Sequence, residues 1–510
     1  MGKDMEYIVN GKEMKAFDRN TIEHFHVPAL VLMERAALAV VNLIECRKLD
    51  CTRVLILCGS GNNGADGLAV ARLLHLKNIA VEVLLTGEKS HFTPEMKQQY
   101  EIATQYEIPF IKNLEMCEDR YSLIVDAILG VGLSGRVKQP QEAVLKQINR
   151  FHGNKVAVDI PSGVSADHGS LPGEVFRADF TVTFAYKKLG MLLYPAADAC
   201  GEIVVADIGI DRHSWLERKP FLCHLTRKDL TFLANRPKDA NKGSFGRILL
   251  IAGSVNMAGA AVLAARAAYR TGCGLVRIYT PEENRPIIQT AVPEAILTTY
   301  SVKKPDLNVM NECLSWADVI VVGPGLGTDE TAQHILKNTL KNAAVPMVVD
   351  ADALNIISGQ VEVLLNPHTE LIVTPHLGEM ARLSGLAVSY IKENIVQTAE
   401  EFARTYNVLC VLKDSRTVVS VPFGRTYLNL SGNSGMATAG SGDVLSGIIG
   451  SLLAQGHAAE QAAAGGVFLH GLAGDCVAAA KGQHSMMAGD LVEGIAAVFQ
   501  NIRQEWKEEK

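Results

Sequence analysis

The chain has no uncharged apolar run of the roughly 18 residues that a membrane-spanning helix needs, and its charge is nowhere massed. Lys and Arg number 49 against 55 Asp and Glu, a net charge of −6 spread over 510 residues. No basic run is interleaved with aromatics, so the electrostatic footprint of a nucleic-acid or membrane-surface protein is missing. Any anionic ligand must therefore be held by local backbone geometry. The ten cysteines are scattered, with no C-x-x-C pair and no Cys/His grouping at zinc spacing. That excludes a sequence-evident zinc site or disulfide framework and reads as reduced core residues. The opening stretch "MGKDMEYIVNGKEMKAFDRN" carries charges every few residues and no apolar core, so no signal peptide is expected and the predicted location is cytoplasmic.

What is present is an ordinary globular balance, 48% apolar and 20% charged, in a chain too long for one hydrophobic core. Short β-branched runs alternate with alanine-rich helical segments: "RVLILC" (53–58), "VEVLL" (81–85), "LIVDAI" (123–128), "KVAVDI" (155–160), "FTVTFA" (180–185), "RILLIAG" (247–253), "LVRIYT" (275–280), "DVIVVG" (318–323), "PMVVDA" (346–351), "LIVTP" (371–375) and "VLCVLK" (408–413). Continuous apolar runs suit strands buried on both faces, and the helices between them suit parallel crossovers. The fold class is α/β. The charge-dense "DRHSWLERKPFLCHLTRKD" (211–229) marks a boundary near 220, giving domains 1–218 and 222–510. "RVLILCGSGNNGADGLAVARLL" (53–74) and "RILLIAGSVNMAGAAVLAARAA" (247–268) echo one another across that boundary. Duplication is one reading; the other is that ligand-binding α/β domains share a tight small-residue turn at a strand's end.

In the N-terminal half, Gly59-x-Gly61-x-x-Gly64 follows a strand and opens a helix, a spacing that lets backbone approach a phosphate. A dinucleotide fingerprint also wants an acid at the end of the second strand, and Glu82 falls inside that strand, so hydride-transfer chemistry fits poorly. Two further loops end strands. "VDAILGVGLSGR" supplies Asp126 and a glycine loop closed by Arg136; "VDIPSGVSADHG" supplies Asp159 and Ser162. Strand-end loops of a parallel sheet open onto one edge. Asn63, Asp126 and Ser162 would there offer oxygen ligands to a hard cation, while Asp159 could move protons. Each aspartate taken singly could equally cap a helix or form a turn.

"GNNGADG", "DAILGVGLSG", "DIPSGV" and "TFAYKKLGM" together resemble the NAD(P)HX epimerase family over essentially all of residues 1–215. The resemblance implies a Rossmann-like three-layer sandwich that interconverts the R and S forms of hydrated NAD(P)H. It places the substrate against Asn62, Asn63, Gly64, Ala65 and Asp66, and against Gly130, Val131, Gly132, Leu133, Ser134, Gly135 and Arg136. It also implies K⁺ at Asn63, Asp126 and Ser162, and Asp159 beside the hydrated nicotinamide, with Lys188 the lysine of the "KLG" segment. Asp159 as the acid/base is our own assignment. Ala65 stands where many members carry a second glycine.

In the C-terminal half, "GPGLG" (323–327), "VVDADALN" (348–355) and "VTPHLGEM" (373–380) each end a strand. His376 is a structural histidine or a ligand contact; Asp350 and Asp352 assist Mg²⁺ or cap a helix. "VLKDSRTVV" (411–419) reads as strand–turn–strand, with Lys413 in reach of a nucleotide phosphate or in a solvated turn. The loop "GMATAGSGDVLSG" (435–447) combines an anion-friendly helix N-terminus with a carboxylate, Asp443. The helix field should keep Asp443 ionised and only modestly basic. That suits a group that orients and deprotonates an alcohol attacking phosphorus while the loop N–H groups stabilise the phosphoryl charge. A purely structural Asp443 would only cap its helix.

The Gly-Ser-Gly-Asp pattern is similar to the ribokinase-like superfamily. With "ANKGSFGRILLIAGS", "GPGLG", "VVDADALN", "VTPHLGEM" and "MAGDLVEGI", it looks like the ADP-dependent (S)-NAD(P)HX dehydratase family over about residues 222–505. The resemblance implies that Gly259, Ala260, Gly325, His376 and Asp443 face the hydrated nicotinamide. Lys413, Asp414, Ser415, Arg416, Thr417, Gly440, Ser441 and Gly442 would face the nucleotide. ADP is then the co-substrate, with Mg²⁺, and C6-hydroxyl phosphorylation precedes loss of phosphate. Met257 replaces an aromatic residue of many members. Together the halves resemble bifunctional NAD(P)H-hydrate repair enzymes, with small-molecule partners only and a homo-oligomeric state. Two rivals remain: a kinase of a vitamin alcohol with a regulatory module, and a non-catalytic N-terminal binding domain.

Overall fold

The computed structural model describes residues 5–114, 120–133, 135–233, 236–365 and 368–508. The chain divides into two compact units: Tyr7–Pro220, and Phe221 onward together with Met5 and Glu6.

The N-terminal unit is built on seven strands: β1 (Val54–Cys58), β2 (Val81–Leu85), β3 (Phe110–Ile111), β4 (Leu123–Ala127), β5 (Asn154–Val158), β6 (Phe180–Phe184) and β7 (Glu202–Ala206). They lie in the order β3-β2-β1-β4-β5-β6-β7, and every neighbouring pair is parallel. β1 and β4 are buried at every position because helices cover both faces. The strand order reverses between β1 and β4, which opens a crevice at their C-terminal ends. A separate short parallel pairing sets Ile8 against Lys187 and Val9 against Lys188. That pairing fixes Lys188 and leads directly into the helix Gly11–Glu23. An Asn10–Glu13 capping box closes the helix start.

The C-terminal unit contributes β8 (Leu222–His224), β9 (Arg247–Ile251), β10 (Leu275–Pro281), β11 (Ile296–Tyr300), β12 (Val319–Val322), β13 (Met347–Val349), β14 (Leu371–Val373), β15 (Leu409–Leu412), β16 (Val418–Ser420) and β17 (Thr426–Leu428). Their order is β11-β10-β9-β12-β13-β14-β15-β16-β17-β8. All pairs are parallel except β15-β16 and β16-β17, which are antiparallel, the first around the 413–417 turn and the second around the 421–425 turn. Here the order reverses between β9 and β12, so β9 holds the place in its sheet that β1 holds in the other. The echo between 53–74 and 247–268 thus marks the same topological position in each sheet. Shared demand on a strand-end turn explains it without duplication.

Helix Ala459–Lys481 is long and apolar enough to cross a membrane by length and composition, but 72% of its apolar window is buried inside the protein. Its Gly465 and Gly466 pack tightly against Phe232 and Ile449, which is the behaviour of a core helix.

Candidate active sites

At the C-terminal edge of the N-terminal sheet lies a cavity of about 700 Å³. Two glycines make its floor possible. A Cβ on Gly59 would meet the Ile128 carbonyl oxygen at 1.9 Å, and one on Gly64 would meet the Gly59 oxygen at 2.1 Å. Only bare backbone lets the β1 turn close this tightly on the end of β4. Asn62, Asn63 and Asp66 line the cavity, as do Gly130, Val131, Gly132, Leu133 and Arg136. Gly64 and Ala65 are buried in the first turn of helix Asn62–His75 and do not line it. Their role is packing, which is why a small residue suffices at 65. Gly135 has a φ of +79° and does not line the cavity; Ser134 lies outside the described residues. Arg136 reaches its wall while its guanidinium pairs with Glu142 at 2.7 Å.

Asp159 and Lys188 meet in this cavity. The ammonium is fully buried and 2.5 Å from the Asp159 carboxylate, and it also donates to Thr183 Oγ1 and the Phe184 carbonyl. The Phe184 N–H donates to Asp159 as well, at 3.1 Å. Asp159 adopts a φ of +67°, a left-handed conformation in which a non-glycine residue carries strain.

Beneath the glycine loop, Asp126, Ser162 and Asn63 come together. Asp126 is fully buried and accepts from the Ser162 N–H and Oγ, both at 2.7 Å, and from the Ile128 N–H. Ser162 Oγ in turn accepts from the Leu129 N–H, and the Asn63 amide donates to the Leu129 carbonyl. Burial pushes the Asp126 carboxyl up to about 6, against the lowering effect of those hydrogen bonds. Among the described residues no Lys or Arg pairs with it. An all-oxygen group with one uncompensated carboxylate fits a hard monovalent cation.

Asp18 and Lys15, from helix Gly11–Glu23, also line the cavity. Sequence reasoning missed them. Their only signal is position: Met14, Asp18 and Ile22 recur at every fourth residue and face one way.

In the C-terminal unit the predicted residues again gather at strand ends. Gly259 and Ala260 sit in the first turn of helix Ala258–Thr271 after β9, and the space a Gly259 Cβ would occupy is open. Gly325, at a φ of +59°, packs against Ala260 so closely that a Cβ would stand 2.8 Å from the Ala260 Cβ. His376 caps helix Leu377–Ser384, its Nδ1 accepting from the Gly378 N–H at 2.9 Å. Burial, and after it the charges of Lys413 and Arg382, lower its pKa. Its Nε2 lies 3.5 Å from the Glu379 carboxylate, yet the ring is half-exposed, so the structural reading of His376 does not exclude a ligand contact.

Lys413 does not sit in a solvated turn. It is mostly buried and bonded at 2.8 Å to Asp350, which also accepts from Ser446 Oγ at 2.6 Å. Burial opposes both charges, yet each holds the other: Asp350 lies below the usual aspartate value and Lys413 above the usual lysine value. Asp352 accepts from the Gly327 N–H at 2.8 Å and so braces the loop after β12. No cluster of three or more His, Cys, Asp or Glu side chains able to hold a metal occurs among the described residues. In the 414–417 turn, Ser415 is exposed and Arg416 donates to the Leu430 carbonyl.

Gly440, at a φ of +91°, caps helix Ser441–Ala454, and Asp443 lies in its first turn. A Cβ on Gly442 would stand 3.3 Å from Lys413 Nζ and one on Gly440 3.9 Å from the Asp443 carboxylate, so the loop, the lysine and the carboxylate lie side by side. The structure corrects the expectation of a modest base. Burial, then Asp350, then Asp352 push the Asp443 carboxyl up to about 7 despite Lys413. These outweigh the helix-terminus field, which was the only influence visible in the sequence. His470, also missed, is buried with Nε2 3.3 Å from Ser441 Oγ, and burial lowers it to about 4. It backs the loop as a neutral imidazole.

Comparison with known proteins gives matches to both units. Residues 248–497 match the family model described as NAD(P)H-hydrate dehydratase, and residues 29–190 the one described as YjeF-related protein N-terminus. The bifunctional NAD(P)H-hydrate repair enzyme of Moorella thermoacetica is 38% identical over 98% of both chains. That of Escherichia coli is 37% identical, covering 90% of this chain and 87% of its own. Among solved structures, a ribokinase-like superfamily protein from Enterococcus faecalis is 29% identical, with a TM-score of 0.50 over 56% of this chain and 97% of its own.

Proposed function

The chain belongs to the family of bifunctional NAD(P)H-hydrate repair enzymes, and on that premise we propose how its two sites divide the work. The protein interconverts (R)- and (S)-NAD(P)HX in the N-terminal domain, 1–218. In the C-terminal domain, 222–510, it uses ADP to dehydrate (S)-NAD(P)HX to NAD(P)H, releasing AMP and phosphate. The domain limits and the residue roles that follow are our assignment.

In the N-terminal cavity, Asn62, Asn63, Asp66, Gly130, Val131, Gly132, Leu133 and Arg136 hold the substrate, and Asp159 moves the proton of the hydroxyl being inverted. Lys188 holds that carboxylate in place. K⁺ belongs at Asn63, Asp126 and Ser162, where the uncompensated buried carboxylate supports it. When bound, it would supply a positive charge against the buried Asp126 carboxylate.

In the C-terminal pocket, Asp443 takes the proton of the substrate hydroxyl as its oxygen bonds to the terminal phosphorus of ADP and AMP departs. The Gly440–Gly442 N–H groups and Lys413 face the transferring phosphoryl group. Hydroxide is a poor leaving group and phosphate a good one, so the C–O bond then breaks with loss of a proton from the adjacent carbon. Mg²⁺ would enter with the nucleotide and neutralise charge on its phosphates. Gly259, Ala260, Gly325 and His376 form the nicotinamide side, and the 413–417 turn the nucleotide side. The observation that carries this reading is a largely buried carboxyl, Asp443, in the first turn of a glycine-capped helix whose loop stands against Lys413.

The test is recovery of 340 nm absorbance when hydrated NADH and ADP are mixed with the protein. A stable phosphoester without recovery would indicate a kinase instead. The working form is expected to be a cytoplasmic homo-oligomer. Exposed Val31 and Leu38, one heptad apart on helix Ala29–Cys46, support the association, and light scattering checks it.

A further inference from the structure

The N-terminal cavity holds more acid than one proton transfer needs. Besides Asp159, Asp18 and Asp66 line it, from separate helices, Gly11–Glu23 and Asn62–His75. Asp159 is bonded to Lys188, but neither Asp18 nor Asp66 has a hydrogen-bond or ion-pair partner among the described residues. The helix that carries Asp18 is fixed at its start by the Asn10–Glu13 box and by the Gly11 N–H donating to Asp167 at 2.7 Å. Near its other end Thr21 bonds Ser214. A carboxyl held so firmly yet left unpaired is positioned for something outside the protein.

The charges facing Asp18 are Asp66 and Asp159 across the cavity, Glu95 from helix Pro94–Gln105, Lys15 one turn earlier, and Lys188, which is committed to Asp159. Burial, then Asp159, then Glu95 raise Asp18; burial, then Asp159 and Asp18, raise Asp66 well above the aspartate norm. The pair is biased toward keeping a proton.

The chemistry requires such a donor. The inverted carbon carries a hydroxyl and the ring nitrogen. If the ring opens, the hydroxyl loses its proton, the C–N bond breaks to leave an aldehyde, and the nitrogen takes up a proton; closure on the other face reverses each step. If water leaves instead, one face needs a proton on the departing oxygen while the other loses one from the arriving water. Either way, one group takes a proton as a second gives one, and the roles exchange on the return.

We propose that Asp18 is the second catalytic residue of the epimerase, the proton donor that works opposite Asp159. This rests on the epimerase reading of the cavity. Asp18→Asn preserves shape and removes the proton. In the full chain with KCl and no ADP, exchange between separated R and S epimers should lose at least about a hundredfold in kcat while KM moves less than about threefold. Asp18→Glu should restore part of that loss. The N-terminal unfolding transition of the same Asp18→Asn preparation, read by calorimetry, should lie within a few degrees of the wild type and show that its domain is folded. Epimerisation by Asp18→Asn within about threefold of wild type, or a loss expressed in KM alone, overturns the proposal. A wild-type protein with no epimerisation at all overturns the underlying reading and the proposal with it.

Discussion

Lowering the pH from 8 to 6 should cost the dehydratase about tenfold in kcat/KM, through one carboxyl. Asp443 must be ionised to accept the hydroxyl proton, and it titrates at about 7. Its ionised fraction therefore falls from about 0.9 to about 0.1 across that interval. The terminal phosphate of ADP also titrates near 6 by analogy with phosphoesters, so the limb alone does not identify its owner. Two substitutions do. Asp350→Asn removes a neighbouring negative charge and frees Lys413 to act on Asp443, so the apparent pKa should drop by on the order of one unit. Lys413→Met removes the one lowering charge, so the limb should move up even as phosphate binding weakens. The assay is the initial rate of 340 nm recovery on (S)-NADHX with ADP, from pH 5.5 to 9 at fixed ionic strength. A limb that stays in place in both variants belongs to ADP and refutes the assignment. So does an Asp443→Asn protein that keeps more than about one-tenth of wild-type turnover, since a positioned base contributes on the order of 10²–10⁴-fold.

The same carboxyl affects stability with a definite sign. Its folded pKa lies above the ordinary 3.8, so ionisation is disfavoured in the fold and costs stability that grows from about pH 4 to 7, up to about 4 kcal/mol. Asp443→Asn should raise the thermal midpoint at pH 8, with a much smaller gain at pH 4; equal midpoints at pH 8 would contradict it. Lys188→Met leaves Asp159 buried without its partner and should destabilise the N-terminal domain by about 3–5 kcal/mol, read as an earlier unfolding transition. Gly64→Ala forces a Cβ to within 2.1 Å of a carbonyl oxygen and should cost at least about 1–3 kcal/mol and abolish epimerisation, while dehydration persists. Asp126→Asn should remove any difference between epimerisation rates in KCl and LiCl; a retained preference for K⁺ would place the cation elsewhere.

Much of the fold was legible because strands buried on both faces must be apolar end to end. Every run read as a strand in "RVLILC" through "VLCVLK" is one. What escaped was short or half-exposed. Ile296–Tyr300 is an edge strand with threonines at two positions and only one buried residue, and Phe110–Ile111 and Leu222–His224 are too brief to show a period. The site loops were legible for a related reason, since close backbone approach at a strand end demands small residues. Three things were not. Asp18 sits on an amphipathic helix whose polar face looks like any solvated face, and His470 is a lone imidazole in an apolar helix. The Asp350–Lys413 bond joins residues 63 apart in sequence, and it is one of the influences that set the ionisation of Asp443, which no reading of its own helix could give.

The backbone at Asp159, with its φ of +67°, bears on how such a chain can change over generations. Glycine would relax that backbone by about 1–3 kcal/mol, but it would also leave the Lys188 ammonium buried with no counter-charge, at a cost of about 3–5 kcal/mol. A laboratory selection scored only on survival of heating would therefore keep the carboxylate, although nothing in the assay asked for it. Only a simultaneous change at Lys188 would release the position, so the ion pair guards a strained residue against piecemeal loss.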